Sequence, residues 1–477
     1  MTQRRPLVEA LLAFQKQRPI SFHVPGHKHG RLSNLPEEMR SALLYDLTEL
    51  TGLDDLHYAE EAIEEAQQLL AETYGSDQSF FLVNGSTVGN LAMVQAVCQE
   101  GDEVIVQRNA HKSIFHALEL AKVRPIYLAP EWDASSLTAV GVSFDTMKRA
   151  IDAFPKAKAV VLTYPNYYGM AITELKQIIY LCHQHGLVVL VDEAHGAHFQ
   201  AGMPFPHSSL ALGADAVVHS AHKTLPAMTM GSFLHLQGTR IDSNLISKYL
   251  HMFQSSSPSY PIMASLDDAR AFLQTYSQPD IRTFQEKRQR FIDSAKTIPS
   301  LAVIETDDPL KLLLRVENYS GYQLQDQLEQ NGIYAELADP YQVLLILPLL
   351  KQQHVYPFAE IRSRLKEAVL ALKKEVPSPV TIKALEQEKI SVPELSFEEM
   401  NAAEQEWISY TQVIGRISAT MVVPYPPGVP LVVAGEIWTT AKLESLLDYL
   451  AAGAAIQGEH RLHLKQLSVI QAGRQDE

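Results

Sequence analysis

Asp192-Glu193-Ala194-His195 ends one strongly apolar run and Ser220-Ala221-His222-Lys223 ends the next, which puts an acid and a lysine at successive strand ends. A lysine amine can form a Schiff base with an aldehyde, and a fixed carboxylate can keep a pyridine nitrogen protonated. Those are the two demands of pyridoxal phosphate (PLP), whose ring takes up the electrons of a carbanion. The interval from 192 to 223 is long enough for one strand-to-strand crossover. Taken singly, each residue has an ordinary explanation, Asp192 as a strand-end carboxylate and Lys223 as a surface or capping cation.

The elements that must position the pair favour the chemical reading. Leu187-Val188-Val189-Leu190-Val191 is a continuous apolar run with β-branched residues, as expected of a strand buried on both faces of a parallel sheet, and Ala214-Asp215-Ala216-Val217-Val218 reads the same way. Ligands of open α/β sheets gather at carboxyl ends of strands, where both residues fall. Apolar runs at 80–83, 103–106, 125–128, 159–162 and 232–236 bring the strands to seven, with helical patterns such as 62–73 and 173–185 between several of them. The predicted fold is α/β, a doubly wound, mostly parallel seven-stranded sheet over 61–290. An N-terminal arm (1–60) precedes it, and a smaller α+β C-terminal domain (291–477) follows, opened by a long helix near 281–296 and holding a connector near 376–395.

Three more loops fall at the same sheet edge. Asn84-Gly85-Ser86-Thr87-Val88-Gly89-Asn90 follows the first strand and opens a helix, so its free amides and two hydroxyls suit a phosphate, although a plain Ser/Thr cap would look alike. The chain has neither a Walker A motif nor a dinucleotide fingerprint, which leaves a mononucleotide-like phosphate. Arg108-Asn109-Ala110-His111 follows the second strand, and His111 could stack on a pyridine ring or simply cap its helix. Tyr164-Pro165-Asn166-Tyr167-Tyr168-Gly169 follows the fourth and could bring an amide or a phenol to the ring hydroxyl, or be only a turn. Convergence of five loops on one edge carries the inference.

Length and composition bound the rest. A chain of 477 residues exceeds the size at which one core stops growing, and 46% hydrophobic residues supply ample core. Neither a membrane-length apolar stretch nor a signal-peptide core is present, so the expected location is the cytoplasm. Cys98 and Cys182, with no CxxC, argue against a disulfide framework or thiolate zinc. Forty Lys and Arg against 55 Asp and Glu give a net charge of −15, unsuited to nucleic acid and compatible with cationic substrates. Eighteen histidines, among them His195, His198 and His222, raise a metal reading; no HExxH occurs, and a metal would leave Lys223 and the phosphate cradle unexplained, so no metal site is expected.

Ser220-Ala221-His222-Lys223, His23-Val24-Pro25-Gly26-His27, the run from Thr48 to His57, Asp192 to His198 and Pro424-Tyr425-Pro426-Pro427-Gly428-Val429-Pro430 together resemble the bacterial Orn/Lys/Arg decarboxylases of PLP fold type I. The chain is most similar to the short form of Gram-positive bacteria, which lacks the N-terminal wing domain, and the resemblance is weakest between about 300 and 395. It implies that Lys223 carries the cofactor and Asp192 pairs with the pyridine nitrogen. His111 would stack on the ring and Ala194 pack on its other face. Ser86, Thr87, Ser220 and His222 would hold the phosphate, with His195 near the ring hydroxyl and the substrate. Ser255 to Tyr260 matches a segment that such enzymes present to the neighbouring subunit's phosphate, so Ser256 and a homodimer with a shared active site are implied. One departure stands at Tyr167-Tyr168-Gly169, where the large inducible enzymes have Tyr-Asp-Gly.

The activity implied is decarboxylation of arginine, lysine or ornithine to agmatine, cadaverine or putrescine, with the Cα proton returned by His222 or Lys223 and with Glu436 a candidate for the substrate's distal cation. Another fold type I enzyme, an aminotransferase or aldolase, would share Lys223 and Asp192 but would hold the α-carboxylate with an arginine such as Arg315 or Arg416. A non-catalytic regulator of a decarboxylase would be expected to have lost the lysine or the phosphate ligands, which this chain retains.

Overall fold

The computed structural model describes residues 4–377, 388–426, 428–458 and 460–471. The strands of its main sheet are β1 Gln78–Leu82, β2 Glu103–Gln107, β3 Arg124–Leu128, β4 Ala159–Thr163, β5 Val188–Asp192, β6 Ala216–His219, β7 Ser232–Leu236 and β8 Ile390–Ser391. Their order is β1-β7-β6-β5-β4-β2-β3-β8. Neighbours from β6 through β3 pair in parallel, whereas β7 is antiparallel to both β1 and β6. The sheet therefore has eight strands rather than seven. The addition, β8, lies antiparallel to β3 and comes from the segment expected to be a connector; two residues are too few for a periodic signal. Residues 378–387 of that connector, and Pro427 in the Pro424 to Pro430 turn, lie outside the described residues.

Alternation along each central strand explains why these runs contain no polar residues. Ile105, Val160, Val189, Val191 and Val217 enter one buried cluster, while Val104, Val106, Val161, Leu190 and Val218 enter another on the opposite face. Successive side chains point to opposite faces, so a strand covered on both sides must be apolar at every position. Helix Gly85–Val97 lies close on this sheet because Gly89 has no side chain: a Cβ there would stand 2.6 Å from Val218 Cγ2 and 2.8 Å from Leu82 Cδ1. That approach brings the N-terminus of the helix to the carboxyl edge.

Helix Gln278–Lys296 starts before the apolar periodicity does, because Ser277 and Asp280 form a capping box with a proline in the first turn. It leads to a four-stranded antiparallel sheet, Leu301–Glu305, Lys311–Val316, Val343–Ile346 and Leu337–Ala338. Further on, Val422 N–H donates to Val432 O (2.9 Å) and Leu431 N–H to Val422 O (3.0 Å), closing the proline-rich turn between strand-like runs.

Candidate active site

Register sets the centre of the site. Thr163, the last residue of β4, pairs with Asp192, the last of β5, and Asp192 pairs with Val218 of β6. Beyond β6 the chain turns at Ser220 into the single helical turn Ala221–Thr224, which carries Lys223. Ser86, His111, Thr163, Tyr167, Asp192, Ala194, His195 and Lys223 all line one cleft with about 330 Å³ of empty space at this edge.

Asp192 is 2% exposed and its carboxylate is oriented from two sides: Oδ2 accepts from Asn90 Nδ2 at 2.9 Å and Oδ1 from the Ala194 N–H at 3.1 Å. Asn90 also donates to Ser113 Oγ (2.9 Å), which lies 2.7 Å from His111 Nδ1. His111 caps helix Lys112–Leu120 and also lines the cleft, so capping does not take its ring out of the site. Burial lowers its pKa, opposed by the charge of Asp192. Glu193 turns away from the cleft. Its carboxylate accepts from Ser209 N–H (2.6 Å) and meets His219 Nε2 (2.9 Å), which continues through His235 to Ser79 at 3.0 and 2.7 Å. This buried polar chain ties β5, β6, β7 and β1 together below the site.

The residues expected to form a phosphate cradle come from two loops. Gly85 opens the helix at φ +79°, a left-handed conformation that glycine adopts without strain, and Ser220 Oγ–H donates to Ser86 Oγ at 2.9 Å. Thr87 is exposed on the first helical turn, and His222 Nδ1 lies 3.0 Å from Gly231 O. The exposed serine loop lies alongside, with Ser255 N–H donating to Asn84 Oδ1 (3.3 Å) and Ser255 O 2.8 Å from His57 Nε2; Ser256 is exposed in the same loop. The cleft also keeps one polar atom unsatisfied, since Thr163 Oγ1 is buried without a partner. A hydroxyl needing a partner, an oriented acid, a buried lysine and an amide-rich helix start fit an aromatic aldehyde phosphate such as PLP.

Lys223 and His195 are in contact, Nζ to Nε2 at 3.0 Å, and the other ring nitrogen, Nδ1, is 3.0 Å from Lys311 Nζ. Burial lowers the pKa of Lys223, with Asp192 opposing it. Burial also holds His195 well below its ordinary value, helped by the two lysines. Sequence reasoning missed Lys311, which begins an apolar strand with no periodic or motif signal around it. It also gave no role to Asn90, one helical turn beyond Ser86 and on the sheet side of its helix.

Several expectations change. Asn166 does not reach toward a ring hydroxyl: its Oδ1 accepts from the N–H groups of Tyr168 and Met170, and its Nδ2 donates to Ala139 O. Tyr168 donates to Asp339 (2.8 Å), whereas Tyr167 faces the cleft, its ring edge-on to His195 at 5.0 Å. Arg315 donates to Gln342, and Arg416 pairs with Glu406; neither lines the cleft, which removes the carboxylate-binding arginine proposed for an aminotransferase.

Glu436 is corrected as well. It is not open to a substrate's distal cation, because Arg108 holds it in a bidentate pair at 2.6 and 2.7 Å, with Lys442 at 3.2 Å. The remaining donors of Arg108 reach Ser391 Oγ, Pro430 O and Leu431 O, so all five are used. The pair clamps the end of β2 to the segment that follows the proline-rich turn. Burial alone would raise the Glu436 pKa, yet the bonds from Arg108 dominate and hold it at about 2, below the ordinary 4.5. A lowered carboxylate pKa stabilises the fold above pH 4.5, and that contribution, on the order of 3 kcal/mol, disappears as pH falls toward 2. Glu436→Gln is therefore expected to cost about 3–5 kcal/mol at neutral pH, because it leaves Arg108 buried without its anion. Urea unfolding at pH 7 and pH 3 checks this: the deficit should shrink at the lower pH.

The chain is similar to known proteins over nearly its whole length. The Orn/Lys/Arg decarboxylase major-domain family matches residues 5–311, and the C-terminal domain of the same family matches residues 380–460. The chain belongs to the Orn/Lys/Arg decarboxylase family. It is 43% identical to the uncharacterized protein YaaO of Bacillus subtilis, over 97% of this chain and 98% of that one. It is 33% identical to an arginine decarboxylase of Bacillus anthracis, over 98% and 97%. Lysine decarboxylase A from Pseudomonas aeruginosa shares the fold with a TM-score of 0.80 and 21% identity, covering 98% of this chain and 80% of that one. The chain is thus an amino-acid decarboxylase of PLP fold type I, built for basic amino acids.

Proposed function

We propose that this decarboxylase acts on arginine, producing agmatine for polyamine synthesis, with PLP as cofactor in a cytoplasmic homodimer. The observation that carries the reading is the convergence of Lys223, Asp192, His111, Ala194 and His195 on one cleft beside the Ser86–Ser220 cradle. PLP, when bound, supplies an electron sink for the pair left at Cα when CO2 departs. Lys223 would hold the cofactor, and Asp192, oriented by Asn90, would keep the pyridine nitrogen protonated. His111 and Ala194 would enclose the ring, and Ser86, Thr87, Ser220 and His222 would hold its phosphate. Arginine is favoured over lysine and ornithine by the name of the Bacillus anthracis relative.

A second cleft, sharing His111 and Tyr167 with the first, is walled by Met421, Val423, Tyr425 and Gly428, and would admit the substrate past the proline-rich turn. No helix among the described residues is long and apolar enough to cross a membrane. A dimer is supported by the arm before residue 45, where Ile20, Phe22, Leu32 and Met39 are exposed, Phe22 at 94%. Ser256 would then contact the partner's phosphate.

Incubation of the purified protein with PLP and arginine, lysine or ornithine separately, followed by identification of the amine, tests the reading. Agmatine alone is expected. Cadaverine or putrescine as the main product would reassign the substrate, and transamination without CO2 release would reject the activity. Sedimentation of the same sample should give a dimer, and an active monomer would remove Ser256 from the site.

A further inference from the structure

Three nitrogen-bearing side chains form a line from the cleft into the interior. Lys223 Nζ is 3.0 Å from His195 Nε2, His195 Nδ1 is 3.0 Å from Lys311 Nζ, and Lys311 Nζ also donates to Tyr167 O at 2.8 Å. Lys311 is fully buried at the start of strand Lys311–Val316, and none of the roles assigned above uses it. The hydrogen-bond inventory restricts how this line can be protonated. An ammonium group only donates, and a neutral imidazole has one donor and one acceptor nitrogen. Two ammonium groups therefore cannot both bond to the same imidazole, and an imidazolium buried between two lysines is strongly disfavoured. One of the lysines must be neutral.

We propose that Lys223 and Lys311 share one proton through His195, so that Lys311 holds the positive charge while Lys223 is left neutral to bind the cofactor. The proton count closes within the triad. As the proton of Lys223 passes to Nε2, the proton on Nδ1 passes to Lys311 Nζ, and no charge leaves the interior. A lysine beside a second cationic group is a recognised way of making the amine nucleophilic at neutral pH.

The surroundings fit this exchange. Asp308, on the loop before Lys311, and the exposed Glu336 favour a charge on Lys311, whose pKa burial lowers to about 8. Asp192 and Glu336 favour charge on Lys223, and the Tyr167 ring lies 5.7 Å from its Nζ. His111, His198 and the Tyr167 phenol are the other titratable groups facing His195, with His198 paired to Asp308 at 2.9 Å. Lys311 is a positioning residue, since it acts through His195.

The proposal rests on Lys223 being the cofactor-binding lysine, and the test separates the two ideas. Cofactor-free protein is mixed with PLP across a pH series, quenched with borohydride, and the rate of adduct formation at Lys223 is read by peptide mass spectrometry. In the native protein the rate should rise in two steps, as coupled sites do. In Lys311→Arg, where the charge is permanent, it should rise in one step at lower pH. In Lys311→Met it should rise in one step at higher pH than the first native step, with capture at neutral pH slowed about tenfold per pH unit of displacement. A single-step native profile overturns the proposal whether or not either variant folds, as do identical profiles in all three proteins. Absence of any adduct at Lys223 in the native protein refutes the cofactor assignment itself, and the proposal with it.

Discussion

Lys223→Ala is expected to abolish covalent PLP attachment and to reduce decarboxylation to background. Lys223 lies on a single helical turn directly beyond β6, lines the cleft with Asp192, and is held at its Nζ by His195. Alanine is tolerated in that turn, and removing a largely buried amine adds no desolvation cost. The protein should therefore fold, and the loss should be chemical. Lys311 is the nearest rival amine, bonded to the far side of the same imidazole. Borohydride reduction in the presence of PLP distinguishes them: no adduct is expected in the variant, and an adduct at Lys311 with retained turnover would transfer the role.

Asp192→Asn should leave PLP bound yet lower the decarboxylation rate on the order of 10²–10³-fold, the loss typical when one preorganised charge-stabilising contact is removed. Two effects combine. A neutral amide cannot hold the pyridine proton, so the ring is a weaker acceptor of electrons. The amide NH2 would also face either Asn90 Nδ2 or the Ala194 N–H, both of which donate to Asp192. The cradle at Ser86 and Ser220 is untouched, so the cofactor dissociation constant should change far less than kcat. Single-turnover CO2 release alongside equilibrium dialysis of PLP measures both quantities. A near-native rate would remove Asp192 from the electron-sink role.

Much of this arrangement was legible because it is written in contiguous residues. The first four residues of β4 and of β5, all apolar because both faces are covered, announced the parallel strands and the sheet edge at which Asp192 and Lys223 stand. Gly85 and Ser86 at the start of a helix announced a helix N-terminus at that edge, where backbone amides are free whatever follows. What involved partners distant in sequence was not legible. Glu436 looked available for a cation until Arg108, more than three hundred positions earlier, was found to occupy it. Asn166 was a candidate amide for the ring hydroxyl, but its Oδ1 accepts from its own loop and its Nδ2 donates to Ala139 O.

The chain by itself thus indicated seven strands of the main sheet, the edge at which the candidate residues gather, and the acid and lysine that share the cleft, because periodicity, turn chemistry and residue type act over a few neighbours. Tertiary structure alone decided which polar groups were already spent and which remained available. Asn90 reaches Asp192 across a helix–sheet contact that Gly89 permits, and Lys311 reaches His195 from a strand beyond the main sheet. A buried donor or acceptor takes whichever partner the packing brings within about 3 Å, and no local pattern encodes that distance.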